Sequence, residues 1–194
     1  MEPKKELTKE LIASSMKELM LHQPFEKITI RMITEHAGVI RPTFYYHFQD
    51  KYEVLEWIVR HDLVISARML MDRGLVDEAI HVVFTDIGND REFYRRAFLV
   101  IGQNSFMSIM VDQVKQFLLD LIHSWGVTAG TGLRMLNDEM LCAYCASTFV
   151  SMVYAWVTHD KSNATVDEMS EAFLYLVKHS YVECFSQKET SEDS

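Results

Sequence analysis

The run Arg41-Pro42-Thr43-Phe44-Tyr45-Tyr46-His47 holds the side chains whose chemistry stands out in this chain. Arg41, Thr43, Tyr45, Tyr46 and His47 all donate hydrogen bonds, and none is anionic near neutral pH. Donors gathered in this way suit a polyanion: contacts to phosphate oxygens fix position, and contacts to base edges give sequence selectivity. Catalytic chemistry has no comparable support, because the chain has no Gly-x-Ser-x-Gly, no glycine-rich phosphate loop and no paired-carboxylate signature. Cys142-Ala-Tyr-Cys145 has redox spacing but lies in an apolar run with no adjacent cation to lower a thiol pKa, so it reads as two buried, inert thiols. The 8 His residues show neither His-x-x-x-His nor His-x-His spacing, and no metal or other cofactor is expected.

Two short helices are needed to present these donors. Thr29 is a suitable N-cap for a helix over Ile30 to Ala37, with Ile30, Ile33 and Ala37 on one face at i, i+3 and i+7. Gly38 stops that helix by accepting a positive φ, and Val39 plugs the space before the next one. Arg41 and Pro42 open the second helix, where proline costs little because first-turn N–H groups lack intrahelical partners. Phe44 and Phe48, four apart, anchor it to a core and leave the donors on the remaining arc. A helix of this kind one turn after a capped partner matches the geometry of a DNA major groove.

The residues Ile28-Thr29-Ile30, Ala37-Gly38-Val39, Thr43-Phe44-Tyr45, His47-Phe48, Asp50-Lys51 and Leu55 resemble the TetR family of bacterial transcriptional regulators, over about residues 8 to 60. The resemblance implies an all-α protein. It would have an N-terminal three-helix helix-turn-helix DNA-binding domain, 1–52, and a helical C-terminal effector-binding and dimerisation domain, 53–194. It also implies a homodimer on a palindromic operator, with recognition helices about 34 Å apart, acting as a repressor under an effector. The DNA-contacting set is then Thr29, Arg31, Arg41, Pro42, Thr43, Tyr45, Tyr46, His47 and Lys51. Two departures from the family pattern fall in the reader: Ile40 stands where a capping side chain is usual, and Pro42 where a small residue is usual. The Trp57 region and the reader also resemble regulators of dihydroxyacetone-kinase operons, a branch that implies a protein co-activator.

Composition agrees with a helical protein. Of 194 residues, 48% are hydrophobic, with only 7 Gly and 3 Pro. The net charge of −9 is unevenly placed: residues 1–51 hold 8 Lys/Arg against 7 Asp/Glu, so the acidity belongs to the remainder. A near-neutral reader implies a modest counterion-driven affinity for DNA. The N-terminus, Met-Glu-Pro-Lys-Lys-Glu, has no apolar stretch behind it, and 3 cysteines form no disulfide framework, so a cytoplasmic location is expected.

Periodicity predicts helices over about Thr8–Leu21 (with Leu11, Ile12, Ser15 and Leu19 in spacing), Asp50–Met71, Val76–Ile87 ending at Gly88-Asn89, Asp90–Ile101, Ser105–Trp125, Leu136–His159 and Thr165–Phe185. A loop runs from Gly126 to Gly132 and a polar tail from Gln187 to Ser194. No Asp, Glu, Lys or Arg occurs from Met140 to His159; its Ser, Thr, Tyr and Cys content favours a packed helix over a membrane span. By the resemblance, the last two helices pair with their copies, with Phe149, Met152, Phe173 and Leu176 as interface candidates. The 12 Met and 22 aromatic residues suggest an apolar pocket for a small-molecule effector, near Tyr94, Phe98, Gln103, Asn104, Phe106 and Tyr144. In the alternative reading Gln103 and Asn104 cap the helix beginning near Ser105, and the rings only fill the core. A helical protein–protein interaction module is the rival from another class.

Overall fold

The structure is a computed structural model that describes residues 3–159 and 163–179. It contains ten α-helices and no strand among the described residues. Helices α1 (Pro3–His22), α2 (Ile30–Ala37) and α3 (Arg41–His47) form the N-terminal head. On α1, Ile12, Met16 and Met20 recur every four residues and are buried together with Ser15 and Phe25, whereas Leu11, which the spacing also allowed, faces solvent. The helix starts five residues before Thr8, the expected first residue.

Helix α4 (Lys51–Val59) begins at Asp50, whose carboxylate accepts from the backbone N–H groups of Tyr52 and Glu53 at 2.8 and 3.0 Å. It continues through a π-helical turn at Arg60–Ile65 into α5 (Ser66–Met71), so a single helical rod crosses the expected domain boundary at 52/53. Nothing in the side-chain pattern predicts the π turn.

Helices α6 (Val76–Asn89), α7 (Arg91–Ala97), α8 (Phe106–Trp125), α9 (Asp138–Thr158) and α10 (Val166–Lys178) build the C-terminal part. Residues 180–185 of the expected last helix, and the tail from Gln187, lie outside the described residues. Two expected boundaries differ for physical reasons. Gly88 does not end α6 but sits inside it, where a Cβ would come within 2.8 Å of Val166 Cγ2 and 3.4 Å of Trp156. That glycine permits the close approach of α10 and α9, which tertiary packing requires and local sequence does not reveal. Helix α7 stops at Ala97 rather than Ile101, and Leu99 and Ile101 are left 65% and 80% exposed.

One continuous core joins head and C-terminal part. Around Phe84 the rings of Phe149, Trp156 and Phe173 lie 5.7 to 6.0 Å away, and a second group joins Phe93, Tyr94 and Phe98 to Phe106. On α9, Cys142, Ala146, Phe149, Val150, Val153, Trp156 and Val157 form the buried stripe; Tyr144, Cys145, Ser147, Ser151, Tyr154 and Ala155 line the opposite, exposed face.

Candidate nucleic-acid interface

The reader begins at Thr29, whose hydroxyl accepts from Met32 N–H at 3.3 Å and so satisfies one orphan donor of the first turn of α2. Gly38 takes φ 66 and ψ 29, the left-handed conformation that lets the chain leave α2 and start α3 three residues later. Ile40 precedes α3 and supplies no side-chain cap, with Pro42 in the first turn. Phe44 and Phe48 are buried in the head.

That anchoring fixes what faces outward. Tyr45 is 51% and Tyr46 71% exposed, Arg41 and Pro42 are exposed, and Thr43 is half-buried. The Arg41 guanidinium lies 6.0 Å from the Tyr45 ring centroid, and its Nη2 is 3.4 Å from the Tyr45 hydroxyl. The cation–π contact holds the arginine along the exposed face without neutralising it. Arg31, on α2, is exposed and paired with Glu35 at 2.7 Å, one turn on. Thr29 is exposed beside it.

Two of the sequence-assigned residues sit otherwise than the run of donors implies. Lys51 turns inward: its ammonium donates to the carbonyls of Phe25 and Ile28 at 2.7 and 3.0 Å and lies 4.2 Å from the Phe25 ring centroid. Burial pushes its pKa below the usual lysine value. This lysine closes the C-terminal end of the short 3₁₀ turn Phe25–Lys27, a partner its own neighbourhood in sequence does not show. His47 is half-buried, and its Nδ1 is buried with no hydrogen-bond partner among the described residues. Burial first, then the ammonium groups of Lys9 and Lys5, lower its pKa and keep the ring neutral at neutral pH. Those two lysines, on α1, lie over the rings of Phe48 and Tyr46 at 5.8 and 5.2 Å, and add positive charge beside α3 that the reading of the motif alone had missed. The signal was available, since α1 carries Lys5 and Lys9 one turn apart.

The sequence-assigned effector residues are not gathered around one space. Tyr94 and Phe106 are fully buried, and Phe98 packs on Phe106 at 5.2 Å. Gln103 and Asn104 are exposed, and the helix they were expected to cap is capped by Ser105, which accepts from Ser108 N–H at 3.2 Å. Tyr144 stands on the exposed face of α9. A cleft of about 490 Å³ opens elsewhere, between the α4–α5 rod and α8, lined by Arg60, Val64, Arg68, Met69, Gln113 and Phe117 among others. Of the interface candidates, Phe149 and Phe173 meet edge to face at 5.4 Å inside the protomer, while Met152 and Leu176 are partly exposed. Cys142 is buried and Cys145, against expectation, is exposed; loss of water around the sulfurs, complete for neither, raises both thiol pKa values, so neither is activated.

Comparison with known proteins bears on the same segments. The family model described as "Bacterial regulatory proteins, tetR family" matches residues 12–58, and one described as "Transcriptional regulator C-terminal region" matches residues 76–179. The HTH-type dhaKLM operon transcriptional activator DhaS of Lactococcus lactis subsp. lactis (strain IL1403) is 24% identical over 150 residues, covering 75% of this chain and 77% of that protein. Among solved structures, a dihydroxyacetone kinase operon activator DhaS aligns with TM-score 0.64 at 20% identity, over 88% of this chain and 94% of its own. FadR of Thermus thermophilus, a TetR-family repressor solved with lauroyl-CoA, aligns with TM-score 0.56 at 16% identity, over 96% and 99%. A TetR regulator from Streptococcus agalactiae 2603V gives 0.58 at 17%, over 90% and 95%.

Proposed function

This chain belongs to the TetR family of bacterial regulatory proteins, DNA-binding transcription factors rather than enzymes, and from that premise we propose that it binds a palindromic operator as a homodimer. The observation that carries the reading is the division of α3 into a buried Phe44–Phe48 side and an exposed side with Arg41, Tyr45 and Tyr46. Arg41 and Thr43 address base edges, Tyr45 and Tyr46 reach base or backbone, and Thr29 and Arg31 contact the flanking phosphates. Pro42 stiffens the helix start, His47 enters as a neutral donor, and Lys51 acts by holding the head together.

The exposed face of α9 supports the dimer. From Met140 to Thr158 the helix bears no formal charge even where it meets solvent, and a second copy related by a two-fold axis is the occupant that removes this surface from water. Met152 and Leu176, both half-buried, are proposed to join this interface, and the Phe149 and Phe173 rings pack within the protomer behind it. The effector reading moves to the cleft beside Arg60 and Phe117, which offers apolar walls and the Arg60 guanidinium. A protein co-activator is the second reading, favoured by the similarity to DhaS. The sequence reading makes the protein a repressor and that similarity makes it an activator; a reporter fused to the operator distinguishes them. The proposed compartment is the cytoplasm. Gel shifts on DNA upstream of the chain's own gene, at several salt concentrations, test the operator reading: selective binding with a log–log salt slope is expected, and equal binding to unrelated DNA contradicts it.

A further inference from the structure

Where the head meets the C-terminal part, a half-buried charge node links three elements. Lys17 of α1 places its Nζ 2.5 Å from Asp62, in the π turn, and 2.5 Å from Asp90, at the junction of α6 and α7. The side chains of Lys17 and Asp62 are only 22% and 21% exposed, so the pairing is shielded. The same ammonium lies 5.4 Å from the Phe93 ring centroid. Asp86 and Tyr94 flank Asp90 one helical turn away on either side, and the Tyr94 hydroxyl is fully buried with no hydrogen-bond partner among the described residues. Two carboxylates thus share one ammonium, with a third, Asp86, and an unsatisfied donor, Tyr94, one helical turn to either side of Asp90. Burial, and then Asp62 and Asp90 against the opposing pull of Lys17, hold the Asp86 carboxyl above its usual pKa. On the outer side His61 contacts Asp62 at 3.3 Å and Glu10 at 3.8 Å.

A buried hydroxyl left without a partner is costly, and the cost vanishes if the hydroxyl finds an acceptor. Asp90 lies one helical turn before Tyr94, whose backbone N–H donates to the Asp90 carbonyl at 3.1 Å, so its carboxylate is the acceptor that spacing places nearest along the chain. We propose that Lys17, Asp62, Asp90 and Tyr94 form a two-position latch that sets the orientation of the DNA-reading head. In the position seen here Lys17 holds Asp62 and Asp90, and the Tyr94 hydroxyl is unpaired. In the other position α1 has moved, the ammonium has left, and the hydroxyl donates to a carboxylate that Lys17 released. Each position satisfies a group that the other leaves unmet, which makes the arrangement bistable rather than continuously deformable. Lys17 is therefore a positioning residue for operator binding: it acts through the tilt of α1 and touches no DNA. The inference rests on the operator-binding reading for its consequence, but not for its geometry.

The test separates the two. Spin labels are attached to the full chain through genetically encoded keto residues replacing Glu35 on α2 and Asp120 on α8, and labelled chain is diluted with unlabelled chain. The distance distribution then reports head orientation without DNA. Lys17→Met is expected to shift the population to a second distance, and Tyr94→Phe to deplete that distance. On an operator selected from random duplexes, the two substitutions should move Kd in opposite directions, each by about fivefold or more. A purely structural role would change stability in the two variants without creating or depleting a second distance. Tyr94→Phe loses no bond present here and should fold even if Lys17→Met does not; the latch is then overturned if the second distance is missing from the wild type or persists undiminished in Tyr94→Phe. Unchanged distances in both variants, or Kd shifts of the same sign, overturn the latch. Failure to select any operator while the distances shift as stated would overturn the operator reading and leave the latch standing.

Discussion

At the scale of single residues the reading surface rests on Arg41, exposed and held along Tyr45. Arg41→Ala is expected to cost about 1–3 kcal/mol in operator binding if the guanidinium reads a base edge, with selectivity relaxed at one base pair. A uniform loss across sequences would reassign it to phosphate, and no loss in either would remove it from the site. His47 carries a pH consequence. Burial, then Lys9 and Lys5, lower its folded pKa below the unfolded value of about 6.5, so the unfolded chain takes up the proton first. Stability is therefore present above about pH 6.5 and declines as pH falls toward the lower folded pKa. Urea midpoints measured across that window should fall more steeply for the wild type than for His47→Gln; parallel curves would show that the ring does not titrate in this way. The motif residues were legible because their roles follow from helical spacing alone. Lys51 and Lys17 were not, because each finds its partners tens of residues away, in carbonyls at 25 and 28 and in carboxylates at 62 and 90.

At the scale of elements, two positions expose the rules that shaped the helices. Ile40 is 67% exposed and leaves the start of α3 without a side-chain cap. Ile40→Ser should raise stability by about 1 kcal/mol, read as a higher urea midpoint at unchanged m-value. Gly88 is the opposite case. Alanine normally favours a helix interior over glycine by about 1 kcal/mol, but here its Cβ would meet Val166 Cγ2 at 2.8 Å, and valine is stiff about χ1. Overpacking of about 1–3 kcal/mol should prevail, so Gly88→Ala is expected to destabilise; a stabilised variant would show that α10 can move away without loss. Reading the sequence put a helix end at Gly88 because glycine is a helix stop in isolation. The close approach that gives it another role is a tertiary fact. Helix type and order elsewhere were legible from apolar periodicity, whereas the π turn at Arg60–Ile65 and the early end of α7 have no local signature.

At the scale of the whole molecule, the uncharged exposed face of α9 is where two chains are proposed to meet. Ser151→Asp, placing charge on that face without touching the protomer core, should convert a dimer to a monomer at micromolar concentration by light scattering; a wild-type monomer would remove the palindromic mechanism. The sequence singled out this helix by its lack of charge. It could not tell which of its faces turns inward, so Phe149 and Phe173 were assigned to an interface although both close the protomer core around Phe84. The residues expected around an effector do not line one space for the same reason: the aromatic side chains near Tyr94 and Phe106 pack on one another, and the open cleft lies beside α8. Two copies of α3 are proposed to read one two-fold DNA site, and selection of operators from random duplexes followed by footprinting measures this directly. The expected result is a palindromic consensus with half-sites about one helical turn apart, two chains bound per site, and loss of the consensus in Arg41→Ala. Recovery of no consensus, or of one short asymmetric site bound by a single chain, would contradict it.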